Sequence, residues 1–373
     1  MGRYACEHFV TATDAEDNEY STARVPGCAA ESGSAGPAAK QLIALLQMRF
    51  VTVLYAFILA LTPLGAFGAE SLRHVASYET TIDWETMSID AGRFIFSRYD
   101  SGGNEKEIIA VSLDGSQPRV LLAGHRDAVF VAQKSNIVVF NERGRFTFDL
   151  VAIDTATGKE VGRVGLRLPI GWARIKGNKI LAFQRMGDGL VLDFPSLKVV
   201  SATKVPGSSV AVGWGDKILV LGSTLEIYGE FWEHIESIKL PEKTPGRSNC
   251  SSGPITVSRD KAVLAHDCGD ILVIDLPALK IERRIPGYSM FLSIAVIDGV
   301  IVTVNADPSR QPYQARVFDL ESGKDLGLLR MKATLLLSEG SSLAAVDYRE
   351  WNSATAHIFK VDVRAIRTQA APR

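Results

Sequence analysis

The chain has no excess charge of either sign: 41 Lys and Arg stand against 42 Asp and Glu, a formal net charge of −1. A balance this close to zero supplies no general field for nucleic acid or anionic lipid, so any charged recognition must be local. Catalytic strings are missing as well. There is no G-x-S-x-G elbow, no H-E-x-x-H, no phosphate-binding G-x-x-x-x-G-K-[ST] and no EF-hand loop. Among the six histidines, His74, His125, His234, His266 and His357 follow the leader, and none has metal-ligand spacing along the chain. No cofactor and no metal are expected from these residues. Long apolar runs are scarce too: the longest is Phe50 to Thr62, too short at about 1.5 Å per residue to span a roughly 30 Å hydrocarbon core.

That run has a different meaning. Met48 and Arg49 precede it, and Pro63 and the small residues Gly65, Ala66, Gly68 and Ala69 follow, the pattern of a cleavable secretory signal. The expectation is a signal peptide over residues 48–69, a periplasmic or secreted protein, and no stable membrane anchor after cleavage. Residues 1–47 are rich in Ala, Gly, Ser and acidic residues and read as a disordered leader. Either the true start is Met48, or the leader is a cytoplasmic tail ahead of an uncleaved signal. Of the four cysteines only Cys250 and Cys268 lie beyond the leader. They flank two strand-like runs, 255–258 and 262–265, that meet at Arg259 and Asp260. Hairpin partners there have numbers summing to about 519, which brings the two sulfurs together and predicts a structural disulfide.

What the chain does have is a period. Apolar strand-like runs end in aspartate at Asp114, Asp154, Asp193, Asp275, Asp319 and Asp362, with gaps of 40, 39, 82, 44 and 43 residues. The double gap implies a degenerate copy near Phe231 to His234, which makes seven units. Each unit reads as four short strands rich in Val, Ile and Leu, so residues 70–373 are expected to form an all-β, seven-bladed β-propeller of four-stranded antiparallel blades. Leu72 to Thr80 is the candidate strand for closing the ring, with Ala365 to Gln369 competing for the place. The aspartates themselves are structural: in Asp154-Thr-Ala-Thr-Gly158-Lys159 and Asp319-Leu-Glu-Ser-Gly323-Lys324 a carboxylate can accept turn N–H groups while Gly takes positive φ.

These Asp-x-x-x-Gly-Lys turns resemble YVTN-type and quinoprotein-like propeller repeats, and Ser88 to Leu122 resembles one blade of TolB-like propellers. The latter resemblance implies docking of protein partners in the periplasm. No Trp follows Gly158 or Gly323 as in quinone-binding enzymes, so the resemblance does not imply that cofactor. Gly124-His125 is similar to the Gly-His of WD repeats, but it occurs once.

Loops between second and third strands, together with the links between blades, should share one face. They carry Arg98, Arg145, Arg310, Tyr313, Arg349 and Trp351, with Arg185 and Tyr348 beside them, while His125, Arg126, Trp172 and Arg174 fall at links nearer the channel, as do Trp84, Arg247 and Tyr288. Arginine and aromatic residues suit a protein partner or a small anionic ligand. The same loops hold Glu105, Glu142, Asp188 and Glu350, so solvated ion pairs worth under about 1 kcal/mol are the competing explanation. The reading is an exported, non-catalytic binding module. The alternative is a periplasmic enzyme or cofactor-free enzyme subunit, of lactonase, lyase or amine-dehydrogenase type, with its site at the channel mouth.

Overall fold

Both faces of each central strand are buried, which explains why the strands read as continuous apolar runs rather than alternating ones. In β4 (Arg93–Tyr99), Phe94 and Phe96 face one neighbouring blade and Ile95 faces the other, all three fully out of contact with solvent or nearly so. The computed structural model describes residues 66–67, 71–80, 87–99, 105–125, 128–144, 147–185, 187–205, 210–242, 253–266, 270–286, 291–305, 314–350 and 353–370. The chain divides into two units, Met1–Thr62 and Pro63–Arg373, and every described residue belongs to the second.

Seven antiparallel blades follow one another. Blade 1 comprises β3 (Ser88–Asp90), β4, β5 (Lys106–Ser112) and β6 (Arg119–His125), and blade 2 comprises β7 (Val129–Lys134), β8 (Ile137–Arg143), β9 (Phe148–Asp154) and β10 (Lys159–Leu166). Blade 3 runs through β11 (Ile170–Lys176), β12 (Lys179–Gln184), β13 (Asp188–Asp193) and β14 (Val199–Lys204). Blade 4 has β15 (Val210–Trp214), β16 (Lys217–Leu221), β17 (Thr224–Tyr228) and β18 (His234–Lys239). Blade 5 has β19 (Ile255–Ser258), β20 (Lys261–His266), β21 (Asp270–Asp275) and β22 (Lys280–Ile285). In blade 6, β23 (Phe291–Ile297), β24 (Val300–Asn305), β25 (Gln314–Asp319) and β26 (Asp325–Lys332) are joined by a two-residue parallel strand, β1 (Ala66–Phe67), on the outer edge. The expected four strands are thus five in this one sheet.

Blade 7 closes the ring. Its inner strands β27 (Leu335–Glu339), β28 (Ser342–Glu350) and β29 (Ser353–Val361) come from the end of the chain, and its outer strand β2 (Leu72–Thr80) from the beginning. The rival segment does not compete: 365–369 lies in the helix α1 (Val363–Gln369), capped by Asp362, whose Oδ1 accepts the Ala365 N–H at 3.0 Å.

The core is correspondingly circular. Seven apolar clusters each join two successive blades, including Phe94, Phe96, Ile109 and Val111 of blade 1 against Ala344, Val346, Ala356 and Ile358 of blade 7. A blade has no buried face until its neighbours arrive, so the larger of these side chains, such as Phe94, Ile109 and Val346, contribute roughly 1.5–3 kcal/mol each only in the closed ring.

The repeated aspartates do what their turns require. Asp114, Asp154, Asp275 and Asp319 each accept a backbone N–H from the following turn at 2.8–2.9 Å, and Gly158 and Gly323 have φ of 69° and 71°. Asp193 departs from this pattern. Its turn contains the cis bond Phe194–Pro195, and its Oδ1 accepts Lys179 Nζ at 2.5 Å instead. In the degenerate fourth copy a glutamate substitutes: Glu233 Oε2 accepts the Phe231 N–H at 2.9 Å.

Candidate functional site

The two ends of the ring differ in how strands are joined. At one end first and second strands meet in two-residue turns, 91–92, 135–136, 177–178, 215–216, 259–260, 298–299 and 340–341. Left-handed residues such as Ala91, Ser135, Arg259 and Asp298 allow these turns to be that tight. At the other end connections run to 100–105, 306–313 and 240–254. Long connectors on a rigid scaffold are where binding residues gather.

That long-connector end is anchored from below by buried polar side chains at the ends of second strands. Asn141 of β8 accepts the Ile170 N–H at 3.0 Å and donates to Ile170 O at 2.9 Å. Gln184 of β12 donates to Leu168 O at 3.0 Å, and the His266 imidazole of β20 meets Pro241 O at 3.0 Å. Asn141 fixes the first strand of the next blade, while Gln184 and His266 each fix the link that leads into their own blade. The rim is therefore held where its loops begin.

Of the residues singled out in the sequence, Arg98 and Tyr99 stand at the root of a long connector. Arg98 Nε donates to Glu107 Oε2 at 3.0 Å across the β4–β5 ladder, with the arginine side chain 47% exposed. Tyr99 is exposed beside it, and Lys106 Nζ lies 5.5 Å from the centre of its ring. Here both explanations hold together, an ion pair and an open aromatic. Arg349 falls within β28. Arg126, Arg145, Arg310, Tyr313, Trp351, Cys250 and Cys268 lie outside the described residues, as do Trp84, Arg247 and Tyr288. The hairpin used to pair the cysteines has the expected register, Ser258 opposite Lys261 and Ile255 opposite Leu264.

Three assignments change place. His125 ends β6 instead of sitting in a link, half-buried, edge-on to Phe140 with ring centres 5.0 Å apart and Nδ1 3.6 Å from Glu142 Oε1. Trp172 and Arg174 lie on β11, the innermost strand of blade 3, not on a link. Trp172 packs against the core between blades 3 and 4. Arg174 Nη1 donates to Gly215 O in the tight turn of blade 4, so it ties blades together at the end opposite the long connectors.

Sequence reasoning missed two clusters because their members come from different strands. Arg163 of β10 reaches Glu142 at 2.9 Å, Asp149 at 2.6 Å and Glu160 at 2.8 Å. These carboxylates push the Arg163 pKa up, and the hydrogen bond from Arg163 holds Glu160 below its usual range. On β2 and β29, Ser77 Oγ lies 2.8 Å from His74 Nε2 and 2.8 Å from His357 Nδ1. A shallow depression at the tight-turn end is lined by Arg73, Asp298, Lys360, Asp362, Arg364 and Arg367, and Arg367 is engaged by Asp319 at 3.0 Å. Among the described residues no three or more His, Cys, Asp or Glu converge as a metal site, and no helix is long and apolar enough to cross a membrane.

Solved structures share this ring at low sequence identity. BamB from Moraxella catarrhalis is 14% identical, with a TM-score of 0.51 over 78% of this chain and 99% of that one. The WD40 β-propeller domain of Doa1 is 15% identical, with a TM-score of 0.55 over 80% and 99%. The computationally designed Ika8 protein is 11% identical, with a TM-score of 0.52 over 77% and 98%. No protein-family model matches the chain, and no curated protein matches it. The fold is a seven-bladed propeller. Likeness at this identity carries the architecture alone.

Proposed function

We propose that this propeller is a non-catalytic interaction module, exported through the segment 48–69, that engages a protein or a small anionic ligand with its long-connector end. The observation that carries the reading is the asymmetry of the ring: seven two-residue turns and connections no longer than 113–118 at one end, connectors up to 306–313 and 240–254 at the other. At that end the connector 306–313 carries Arg310 and Tyr313, the shorter connectors 144–147 and 351–352 carry Arg145 and Trp351, Arg349 lies near the end of β28, and the exposed Arg98 and Tyr99 end β4. Guanidinium groups offer planar, bidentate donors to carboxylates, and aromatic rings offer apolar area at little entropic cost, the combination that dominates protein interfaces.

A propeller supports this role because its seams are packed with apolar side chains. The clusters between blades are built from Val, Ile, Leu, Ala and Phe, so the frame does not reshape when a loop is occupied. The likeness of Ser88 to Leu122 to TolB-like blades points the same way, as do the BamB and Doa1 rings at the level of architecture.

The test is a double substitution, Arg310→Ala with Trp351→Ala, in protein purified from the exported fraction. Capture of the partner that binds the wild type should be lost while the melting temperature stays within about 2 °C. Retained capture would remove these loops from the account.

A further inference from the structure

His74 and His357 belong to opposite ends of the chain, and only ring closure brings them together. His357 stands opposite Ser77 in the β2–β29 ladder, 280 residues away in sequence, and His74 stands opposite Phe359. A register shift between His74 and Ala76 turns His74 onto the same outward face as Ser77. The result is a hydroxyl held between two imidazoles at 2.8 Å from each ring nitrogen. Phe359 supports the pair from below, edge-on to His74 with centroids 5.6 Å apart and 6.1 Å from His357.

We propose that His74 and His357 form a two-imidazole site for a borderline divalent transition-metal ion such as Zn²⁺, Ni²⁺ or Cu²⁺, which fastens the closing strand to the last blade. Three features carry it. Imidazole nitrogen is a preferred ligand of these ions. The two nitrogens already converge on one point, the Ser77 hydroxyl oxygen; an ion replacing it would need each ring to move in by about 0.7 Å to reach the usual 2.0–2.1 Å, a shift within the freedom of exposed side chains. The cluster is exposed, so water can complete the coordination shell. A rotation of Ser77 about χ1 vacates the position.

The consequence is regulatory. An ion that binds both strands binds only the closed ring, because His74 and His357 are far apart in an opened chain, and binding to one state shifts the equilibrium toward it. Protons compete, since each nitrogen must be unprotonated to bind metal.

The experiment uses the untagged full chain and measures the melting temperature against ZnCl₂ at pH 7.5 and pH 5.5, with MgCl₂ as the hard-ion control. A site half-filled near 10 µM would favour the folded ring by about 100-fold at 1 mM Zn²⁺, which reads as a rise of several degrees at pH 7.5. The rise should vanish at pH 5.5, with Mg²⁺, and in both His74→Gln and His357→Gln, while Ser77→Ala keeps it. Calorimetric titration of the folded wild type should give one Zn²⁺ per chain, lost in each His variant. No rise in the wild type, an equal rise in His74→Gln or His357→Gln, or an unchanged titration in those variants would overturn the proposal.

Discussion

Gly189 lies directly beneath the indole of Trp232: a methyl group at Gly189 would stand 2.1 Å from Trp232 Cδ2. Trp232 leaves the β17–β18 turn of blade 4 with φ of 66°, crosses to blade 3 and donates its indole N–H to Leu190 O at 3.1 Å. It is among the largest fully buried side chains and fills the seam beside Phe183 and Tyr228. Trp232→Ala should cost about 3–5 kcal/mol through lost burial and the cavity left behind. Gly189→Ala should cost about 1–3 kcal/mol by overpacking. The double variant should be more stable than the sum of the two losses implies, because the new methyl has space once the indole is gone. Denaturant titration of the four proteins tests this, and simple additivity would show that the two residues do not share the seam.

Closure by β2 makes a second prediction. Protein starting at residue 81 loses the outer strand of blade 7 and exposes the unpaired edge of β29, so its melting temperature should fall by about 10 °C or more, or the chain should aggregate. Protein starting at residue 69 keeps β2 and loses β1, and should melt within about 3 °C of a longer chain. A fall with the second truncation as large as with the first would move the domain boundary upstream.

Asp319 provides a pH-dependent test. Partial burial raises its pKa, but hydrogen bonds from the Ser322 N–H and hydroxyl, with Arg367 3.0 Å away, outweigh that and hold it below its ordinary 3.8. A carboxylate depressed in the folded state stabilises above the unfolded pKa and loses that contribution as pH falls through the folded one. Asp319→Asn should therefore be less stable at pH 7 by about 1 kcal/mol, a value kept small because the turn is solvent-screened. The gap to wild type should narrow below about pH 4. A gap unchanged between pH 7 and pH 3 would assign the loss to geometry instead of charge.

Arg98 separates the bland explanation from the functional one. Its pairing with Glu107 is exposed and should be worth under about 1 kcal/mol, so Arg98→Ala leaves thermal unfolding nearly unchanged. If the guanidinium also faces a partner, binding measured by surface plasmon resonance should weaken several-fold. A stability loss above about 2 kcal/mol would make Arg98 a structural residue alone.

The fold was legible in the sequence because each blade repeats the same local chemistry. Asp154, Asp275 and Asp319 mark turns whose N–H groups need an acceptor, and the gap where Asp should recur pointed to the turn that Glu233 closes. Less was legible wherever the contact is between blades. Nothing local says that Trp232 reaches over Gly189, that Arg174 bonds a turn of the next blade, or that His74 meets His357, since each partner is at least a blade away in sequence. The helix at 363–369 was missed for a different reason: Asp362 fits the strand-ending pattern, and the same carboxylate that closes a turn elsewhere caps a helix here.

The central claim is that the long-connector end meets the partner. A photoreactive residue at position 310 or 351, compared with one at Thr157, in the β9–β10 turn at the opposite end, or at Asp216, in a two-residue turn there, tests it most directly. The account predicts one cross-linked adduct from the first pair and none from the second. Adducts from Thr157 or Asp216, with none from 310 or 351, would contradict it.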